Sequence, residues 1–296
     1  MQDYVYLSTE EATAYLKLKE RKLYELVSTG SIPCTKVTGR WLFPRAALDR
    51  WLATGLSQPG GVQAALPPAI IGGSHDPLLE WAVRRSGSGL ALLSEGSQAG
   101  LDRLVRNEVA IAAIHLHGAG DDEDANLAAV RSSAGLADTV IIGFARREQG
   151  LLLGPGNPLG IADLADAVAR QARFGLRQRG AGAQLLLDKL LADAGLAASA
   201  LTAGEGVHAT GPDLALAIGS GEIDCGIGAR SVAATHGLDF VPLVWERFDL
   251  VLNRRVYFEP AAQALFQLVA KAEFARRAAA FGGYDVTQAG RVRLNR

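Results

Sequence analysis

Turns that combine glycine with serine or arginine recur in the larger, C-terminal part of the chain and could bind an anion. A helix-like apolar spacing follows Gly73-Ser74-His75 and again Gly96-Ser97, and an arginine pair precedes the glycine-rich run 180–183. Hydroxyls, backbone N–H groups at helix N-termini and guanidinium groups all favour a negative ligand. The candidate ligand-binding residues are Ser74, His75, Gly96, Ser97, His115, Arg177, Arg179, Gly180, Ala181, Gly182, Ala183 and Thr210.

Each of these residue types also has a purely structural interpretation. A single Gly-Ser turn before a helix can be a simple cap, and Arg177 or Arg179 can be a salt-bridge partner within the fold. His115 and His117 alternate along one predicted strand, so both face the same side, but a metal site lacks its third ligand. We therefore predict no metal site and no cofactor, and we expect several turns together to form the binding site.

Catalytic motifs are missing from the sequence. It has no G-x-S-x-G elbow, no G-x-x-x-x-G-K-[ST] phosphate loop and no H-E-x-x-H pair. Ser74, His75 and Asp76 are consecutive in one turn, which cannot place them as nucleophile, base and orienting group. A binding protein is therefore favoured over an enzyme. The alternative is an enzyme or cofactor-biosynthesis-related α/β protein that binds a small anionic substrate.

The start of the chain has the pattern of a DNA-binding helix-turn-helix. Ser8 and Glu11 form a capping box for a helix to about Leu16, and a second helix is predicted from about Glu20 to Ser28. The second helix of such a pair enters the major groove. The run TKVTGRWLF predicts a hairpin wing that turns at Thr38-Gly39. The candidate DNA-contacting residues are Ser8, Lys19, Arg21, Lys22, Tyr24, Lys36 and Arg40.

Charge and composition restrict how this chain can meet nucleic acid. It has 296 residues, 49% hydrophobic and 21% charged, and a formal net charge of -1, without the basic excess of a nucleic-acid coat or membrane-surface protein. Residues 1–52 hold eight Lys or Arg against six Asp or Glu, a net of +2. The basic residues of this stretch could still be only the solvated face of a small helical cap.

No signal for export or membrane insertion is visible in the sequence. An apolar run of about 18 residues is absent, and the N-terminus lacks a basic region followed by an apolar one. The two cysteines, Cys34 and Cys225, fall in different predicted domains, so we expect no disulfide framework. We expect a cytoplasmic protein without membrane contact.

The chain divides into two predicted domains. Residues 53–74 carry no charge and include several Pro and Gly residues, which places a linker at 53–66 between a domain of residues 1–52 and a domain of residues 67–296. In the second domain, β-type runs such as AIIGG and VAIAAIHL alternate with helical runs such as HDPLLEWAVRR. This alternation predicts an α/β domain with a largely parallel sheet.

The segment from Tyr6 to Leu52 resembles the winged helix-turn-helix of the excisionase and mercury-resistance regulator superfamily. The shared pattern is L-S-x-x-E-A-x-x-Y-L, then R-x-x-Y-x-L-x-x-x-G-x-I-P, then G-R-W-x-F-x-x-x-x-L-x-x-W-L. This resemblance implies that the segment binds double-stranded DNA.

The segment from Pro68 to about Leu252 resembles the periplasmic-binding-protein-like domain of helix-turn-helix regulators and of some molybdopterin biosynthesis proteins. The motifs that carry the resemblance are GGSHDPLLEWA, LLSEGSQAGLDRL, VAIAAIHL, GLRQRGAGAQLLLDKLL, ALAIGSGEIDCGIGARSVA and LDFVPLVWERFDLVL. It implies a type 2 fold of two α/β lobes joined by crossover strands, with a ligand held between them as in molybdate- and tungstate-binding proteins. The expected ligand is a small oxyanion such as molybdate or tungstate, or another small molecule. Such regulators usually show G-S-G-T where this chain has Gly180-Ala181-Gly182-Ala183, which removes two hydroxyls and leaves the backbone donors.

Both resemblances together predict a ligand-responsive DNA-binding transcriptional regulator. Its expected partners are double-stranded DNA and a small anion or other small-molecule effector held in an interlobe cleft. A homodimer is expected because operator half-sites are usually read in pairs.

Overall fold

The structure is a computed structural model that describes residues 6–37, 39–54, 66–117 and 125–296. The chain divides into two units, residues 1–65 and residues 66–296. Most of the predicted linker, residues 55–65, lies outside the described residues, so its bounds stay a prediction. The smaller unit contains β1 (Tyr6–Leu7), α1 (Thr9–Leu16), α2 (Glu20–Ser28), β2 (Phe43–Pro44) and α3 (Arg45–Thr54).

Local sequence signals set the helices of the smaller unit. The Ser8 hydroxyl accepts a hydrogen bond from Glu11 N (3.3 Å) and the Glu11 carboxylate accepts one from Ser8 N (2.8 Å), which completes the predicted capping box. Leu23 of α2 is buried with Phe43 and Leu48 in the core of the unit. The predicted bounds of α1 and α2 are therefore confirmed.

The predicted wing differs in part from the structure. An antiparallel bridge joins Thr35 and Leu42, but Thr38 at the predicted turn lies outside the described residues. Phe43, predicted to continue the hairpin, instead pairs with Leu7 in the short β1–β2 ladder. This pairing buries Phe43 beside Leu7 in the core of the unit, which outweighs one more hairpin pair.

The larger unit alternates strands and helices as the sequence predicts. Its strands are β3 (Ile70–Gly73), β4 (Ala91–Ser94), β5 (Ile111–Ile114), β6 (Thr139–Leu153), β7 (Arg173–Arg177), β8 (Thr202–His208), β9 (Cys225–Ala229), β10 (Asp239–Asn253), β11 (Tyr284–Asp285) and β12 (Val292–Asn295). Its helices are α4 (Pro77–Ser86), α5 (Ser97–Val105), α6 (Ala125–Ser132), α7 (Leu164–Ala169), α8 (Gly182–Asp193), α9 (Gly211–Gly219), α10 (Arg230–His236), α11 (Arg254–Tyr257), α12 (Pro260–Val269) and α13 (Ala272–Phe281). Across the described ranges, the helices lack the length and apolar character that a membrane crossing requires.

Two long strands connect two parallel sets of strands in one sheet. The strand order is β4-β3-β5-β10-β6-β9-β7-β8, and β11 and β12 also pair with β6. The pairs among β3, β4 and β5 are parallel, as are those among β7, β8 and β9. The 15-residue strands β6 and β10 are antiparallel partners along their length. We call the part built on β3–β5 lobe 1 and the part built on β7–β9 lobe 2.

Each lobe has its own apolar core. In lobe 1, the Phe144 ring contacts Phe248 and Phe274 with ring centroids 5.8 and 5.2 Å apart. In lobe 2, Phe174 and Leu186 are buried in a separate cluster. The chain after β10 packs on lobe 1, with α12 and α13 against α4. The lobes are thus separately packed bodies that β6 and β10 join.

Candidate functional site

A cavity of about 30 Å³ lies between the two lobes, at the carboxyl ends of β3, β5, β7 and β9. Since roughly 10–15 Å³ of such space holds one water molecule, the cavity suits a small ion rather than a large organic ligand. The residues that line it are Ser74, His75, Pro77, Ser94, Gly96, His115, Arg147, Gln149, Arg177, Ala181, Gly182, Ala183, Ala209, Gly211, Gly228, Ala229 and Val232.

Helix N-termini from both lobes meet at this cavity. It is lined by the first residues of α4, α8 and α9, which are Pro77, Gly182 and Gly211, and by Gly96, the N-cap of α5. The N-terminal end of a helix carries unpaired N–H groups and a partial positive charge, so their convergence favours an anion. A Cβ atom at Gly182 would collide with the carbonyl oxygen of His115, and glycine therefore lets α8 approach lobe 1 this closely.

Arg177 supplies a charged group to the cavity. Its Nε donates to the His208 carbonyl (2.7 Å) and its Nη2 donates to the Ala209 carbonyl (2.9 Å). Burial lowers the pKa of Arg177 to about 10, which leaves the guanidinium charged at neutral pH. Its Nη1, which makes no hydrogen bond within the described residues, remains available to a ligand.

Ser74 and Ser97 form a buried pair in which only Ser74 lines the cavity. The Ser97 hydroxyl accepts a hydrogen bond from His115 N (3.0 Å) and donates to the His115 carbonyl (3.1 Å). The single hydrogen of the Ser97 hydroxyl can be directed to this carbonyl or to the Ser74 hydroxyl 2.8 Å away, so either hydroxyl can be the donor of that pair. Ser97 therefore positions the Ser74 hydroxyl at the cavity.

Of the twelve residues predicted from sequence, eight line the cavity and four do not, Ser97 among the four. Because strand β7 ends at Arg177, the alternation of side chains between the two faces of the strand does not continue to Arg179. Arg179 is exposed instead of lying on the same face as Arg177. The Gly180 carbonyl accepts a hydrogen bond from Gln98 N (3.4 Å). Thr210 forms a capping box with Asp213 at the start of α9. The eight are Ser74, His75, Gly96, His115, Arg177, Ala181, Gly182 and Ala183.

A buried carboxylate, Glu246, contacts residues that line the cavity and accepts four hydrogen bonds. Its Oε1 accepts from Arg147 Nε (2.5 Å) and Gln149 Nε2 (2.8 Å), and its Oε2 accepts from His115 Nδ1 (3.0 Å) and His117 Nε2 (2.7 Å). Burial alone would raise the pKa of Glu246, but its contacts with His115 and Arg147 outweigh burial and hold that pKa well below the ordinary value. The carboxylate is therefore ionised.

Strand register explains why the four donors converge on Glu246. Arg147 of β6 lies opposite Glu246 of β10, and Gln149 follows two residues later on the same face of β6. Strand β5 is antiparallel to the end of β10, so the residues after β5, His115 and His117, run back alongside Glu246. Arg147, Gln149 and Glu246 are not among the residues predicted from the sequence. The available signal was the position of these polar residues inside two long β-type runs, at ARREQG and VWERF, where a buried polar side chain needs a hydrogen-bond partner.

Arg147 also connects the cavity to the C-terminal part of the chain. Its Nη1 donates to Asp76 (2.9 Å), the N-cap of α4, so the guanidinium lies between two buried carboxylates. The Tyr284 hydroxyl donates to Asp76 (2.8 Å) and also contacts the Ser231 hydroxyl (2.9 Å). Burial raises the pKa of Tyr284 well above its ordinary value, so the phenol keeps its proton and can donate.

The third metal ligand that the sequence did not reveal is present in the structure. One ligand atom from each of His115, His117 and Glu246 lies within 4.8 Å of the others, a set that can bind a divalent transition-metal ion. Binding would require both imidazoles to give up their hydrogen bonds to Glu246. The Arg147 guanidinium on the same carboxylate would also repel a cation. Glu246 is therefore better suited to accept these hydrogen bonds than to bind a metal ion.

We expect acid to destabilise the larger unit through His115. Burial lowers the pKa of His115 from 6.5 to about 4, so between these pH values the unfolded chain binds a proton that the folded chain does not. The free energy of unfolding should therefore fall as the pH falls through this window, by up to about 3 kcal/mol from this residue. Urea unfolding of wild type and His115→Gln across the window measures it, with His236→Gln as the control. Equal pH slopes for wild type and His115→Gln would contradict this assignment.

In the smaller unit, the predicted DNA-contacting residues of α2 are exposed. Lys19 is the N-cap of α2, Arg21 and Lys22 lie in its first turn, and Tyr24 follows. Lys22 pairs with Glu25 (2.8 Å), whereas Lys19 and Arg21 have no ion pair within the described part of the chain. The start of α2 therefore presents positive charge to solvent.

The remaining predicted DNA contacts have different surroundings. Lys36 Nζ lies 5.3 Å from the centroid of the Trp41 ring, and Arg40 is exposed. Ser8 is exposed, and its hydroxyl is used as the N-cap of α1. A direct DNA contact by each of these residues stays a prediction.

Two family models match the chain. One, described as a helix-turn-helix domain, matches residues 6–55, and the other, described as a PBP superfamily domain, matches residues 80–270. An uncharacterised protein of Bacillus subtilis strain 168, YvgK, is 23% identical over 301 residues, which cover 96% of this chain and 96% of that protein.

Solved structures share the fold of the larger unit. A protein described as a phosphate ABC transporter substrate-binding protein with bound phosphate, from Clostridium perfringens, has a TM-score of 0.53 at 13% identity, covering 72% of this chain and 96% of that chain. The tungstate ABC transporter structure from Geobacter sulfurreducens has a TM-score of 0.51 at 13% identity, covering 70% and 95%. At these identities the likeness is one of fold.

Proposed function

Because this chain belongs to the PBP superfamily, with a model match over more than half of its residues, we propose that it is a ligand-responsive DNA-binding transcriptional regulator whose effector is a small anion. The fold-class prediction, a helix-turn-helix followed by a type 2 periplasmic-binding-protein-like α/β domain, is confirmed. The observation that carries the proposal is the presence of both domains on one chain.

The cavity supports an anionic effector. Four helix N-termini and the Arg177 guanidinium surround a space of about 30 Å³, and charge-assisted hydrogen bonds are stronger than neutral ones. The two structural neighbours above carry phosphate and tungstate in their descriptions, so oxyanions of this size are the first probes. Molybdate and tungstate belong to the probe set on the strength of the sequence resemblance alone.

Contacts between the lobes support closure around a ligand as the response. Gln98 N donates to the Gly180 carbonyl (3.4 Å), and Gln178 Nε2 donates to the Glu95 carbonyl (3.3 Å). A ligand that contacts both lobes stabilises this closed arrangement over an open one and shifts the population toward it. In the proposed homodimer, that shift changes the affinity for DNA half-sites.

The smaller unit supports the DNA-binding half of the proposal. The N-terminal part of the second helix is the part of a helix-turn-helix that reaches base edges. In this chain it carries the exposed side chains of Lys19, Arg21 and Lys22. In this scheme the protein binds its DNA in the cytoplasm, the location expected from the sequence.

Replacing Arg21 by alanine should separate the two activities. DNA affinity should fall about 5- to 150-fold, since one arginine contact is worth about 1 to 3 kcal/mol, whereas anion binding should be unchanged. Fluorescence anisotropy with DNA from upstream of the gene, at fixed salt and with and without each oxyanion, measures the first quantity. Thermal shift with the same oxyanions measures the second.

The matched control is Arg84→Ala, which removes an exposed arginine of α4 in the larger unit and should leave DNA affinity unchanged. Equal DNA affinity of wild type and Arg21→Ala would contradict the assignment of α2. DNA binding that no anion alters, together with no anion-induced thermal shift, would contradict the regulatory proposal.

A further inference from the structure

Gln149 is the one buried amide side chain among the cavity-lining residues that the structure describes. It is 2% exposed and belongs to β6, next to the point where the two lobes join. Its Nε2 donates to Glu246 (2.8 Å). Its Oε1 is buried and has no hydrogen-bond partner within the described residues.

The orientation of this amide is determined by its neighbour. Glu246 is ionised, and its Oε1 already accepts a hydrogen bond from Arg147 Nε (2.5 Å). Rotating the amide by half a turn would bring Gln149 Oε1 against that carboxylate oxygen, an acceptor against an acceptor. The NH₂ group of Gln149 therefore faces Glu246, and the carbonyl oxygen is the atom left for a ligand.

A second lone-pair group lies in the same cavity. The Ser74 hydroxyl, 2.8 Å from that of Ser97, also lines the cavity, and its oxygen can accept a hydrogen bond from a ligand. An acceptor that stays buried and unpaired costs free energy, and a ligand that can donate a hydrogen bond removes this cost. The positive helix ends and Arg177 attract the charge of the ligand, while the unpaired Gln149 Oε1 favours a ligand that carries a hydrogen-bond donor.

We propose that the effector is an anion that carries its own hydrogen-bond donor, which Gln149 Oε1 accepts: a protonated oxyanion such as hydrogen phosphate, or a small hydroxy-carboxylate. This inference rests on the proposed anion-binding function and narrows its ligand class. Sulfate, molybdate and tungstate carry no proton at neutral pH and present only acceptors to Gln149. They are therefore disfavoured, although their size and charge suit the rest of the cavity.

Two matched pairs of probes test the proposal on the full chain by calorimetry at neutral pH. Phosphate is compared with sulfate, and glycolate is compared with acetate, so that the first member of each pair carries a hydrogen-bond donor that its partner lacks. The donor-bearing member of at least one pair should bind at least about 10-fold more tightly than its partner. Preference in the first pair identifies a protonated oxyanion, and preference in the second identifies a hydroxy-carboxylate. Molybdate and tungstate should bind no more tightly than sulfate.

Gln149→Met provides the second measurement, because it removes the acceptor at nearly constant volume. Affinity for the preferred probe should fall about 10-fold or more, while the weak affinity for its donor-free partner should stay the same or rise. Gln263→Met, the same change in α12 outside the cavity, should leave both affinities unchanged. If Gln149→Met does not fold, the wild-type preferences decide alone.

The outcomes separate the two proposals. If sulfate, molybdate or tungstate binds as tightly as phosphate, and acetate binds as tightly as glycolate, the donor requirement is overturned while anion binding stands. Equal losses for both members of a pair in Gln149→Met would also overturn it, since they would assign Gln149 only to the support of Glu246. If none of these probes binds, the anion-binding function fails and the donor requirement fails with it.

Discussion

Replacing Glu246 by glutamine should lower the free energy of unfolding of the larger unit by about 3 to 5 kcal/mol. The change leaves the Arg147 guanidinium buried beside a neutral amide and places an NH₂ group against donors that now bond to the carboxylate. The loss is large because an amide has one acceptor oxygen where the carboxylate accepts four hydrogen bonds, so buried donors lose their charged acceptor, although Arg147 keeps its ion pair with Asp76. Urea unfolding followed by tryptophan fluorescence and circular dichroism measures the loss.

The matched control for Glu246→Gln is Asp193→Asn at the exposed ion pair between Lys189 and Asp193 of α8. An exposed pair of this spacing contributes about 0.3 to 0.5 kcal/mol, so the two variants should differ several-fold in their effect. A loss for Glu246→Gln no larger than that of the control would show that the buried cluster does not hold the lobes together energetically.

Replacing Arg177 by methionine should weaken binding of the preferred anion about 10- to 150-fold. A hydrogen bond between charged partners contributes about 1.5 to 3 kcal/mol, and methionine keeps much of the apolar side-chain volume without the charge. Calorimetry with the best probe measures the affinity directly. Thermal unfolding without ligand should be recorded as well, because Arg177 also donates to the His208 and Ala209 carbonyls ahead of α9.

The chain offers a matched control for this variant two residues away. Arg179 is exposed and does not line the cavity, so Arg179→Met should change anion affinity by less than about 2-fold. From the sequence alone, both arginines are equally good candidates for the ligand site, whereas in the structure only Arg177 lines the cavity. Similar losses in both variants would indicate long-range attraction of the anion rather than a direct contact by Arg177.

Much of the local structure follows from the sequence because its signals act over a few residues. The Ser8–Glu11 capping box and the apolar spacing of α2 predict helices whose bounds the structure reproduces. The glycine turns at Gly73 and Gly96 likewise mark where β3 ends and α5 begins. Such features depend on backbone conformation and on hydrogen bonds within one turn, so neighbouring residues are sufficient to specify them.

The composition of the cavity depends instead on strand register, which no local pattern contains. Ser97 was predicted as a ligand contact, yet its hydroxyl is fully used by His115 and Ser74. Gln149 and Glu246 were not selected, although β6 and β10 bring them within 2.8 Å of each other. These residues are nearly a hundred positions apart in sequence, so their meeting is decided by the pairing of two long strands.

By itself, the sequence determined two domains of recognisable type and a set of glycine turns suited to an anion. Only the tertiary structure decided that Arg177 rather than Arg179 reaches the cavity, and that Glu246 fixes the amide of Gln149. The physical reason is that a hydrogen-bond donor or acceptor becomes selective only when it is buried and its other partners are assigned. Burial and partner assignment are properties of packed lobes, and packing joins residues that the sequence keeps far apart.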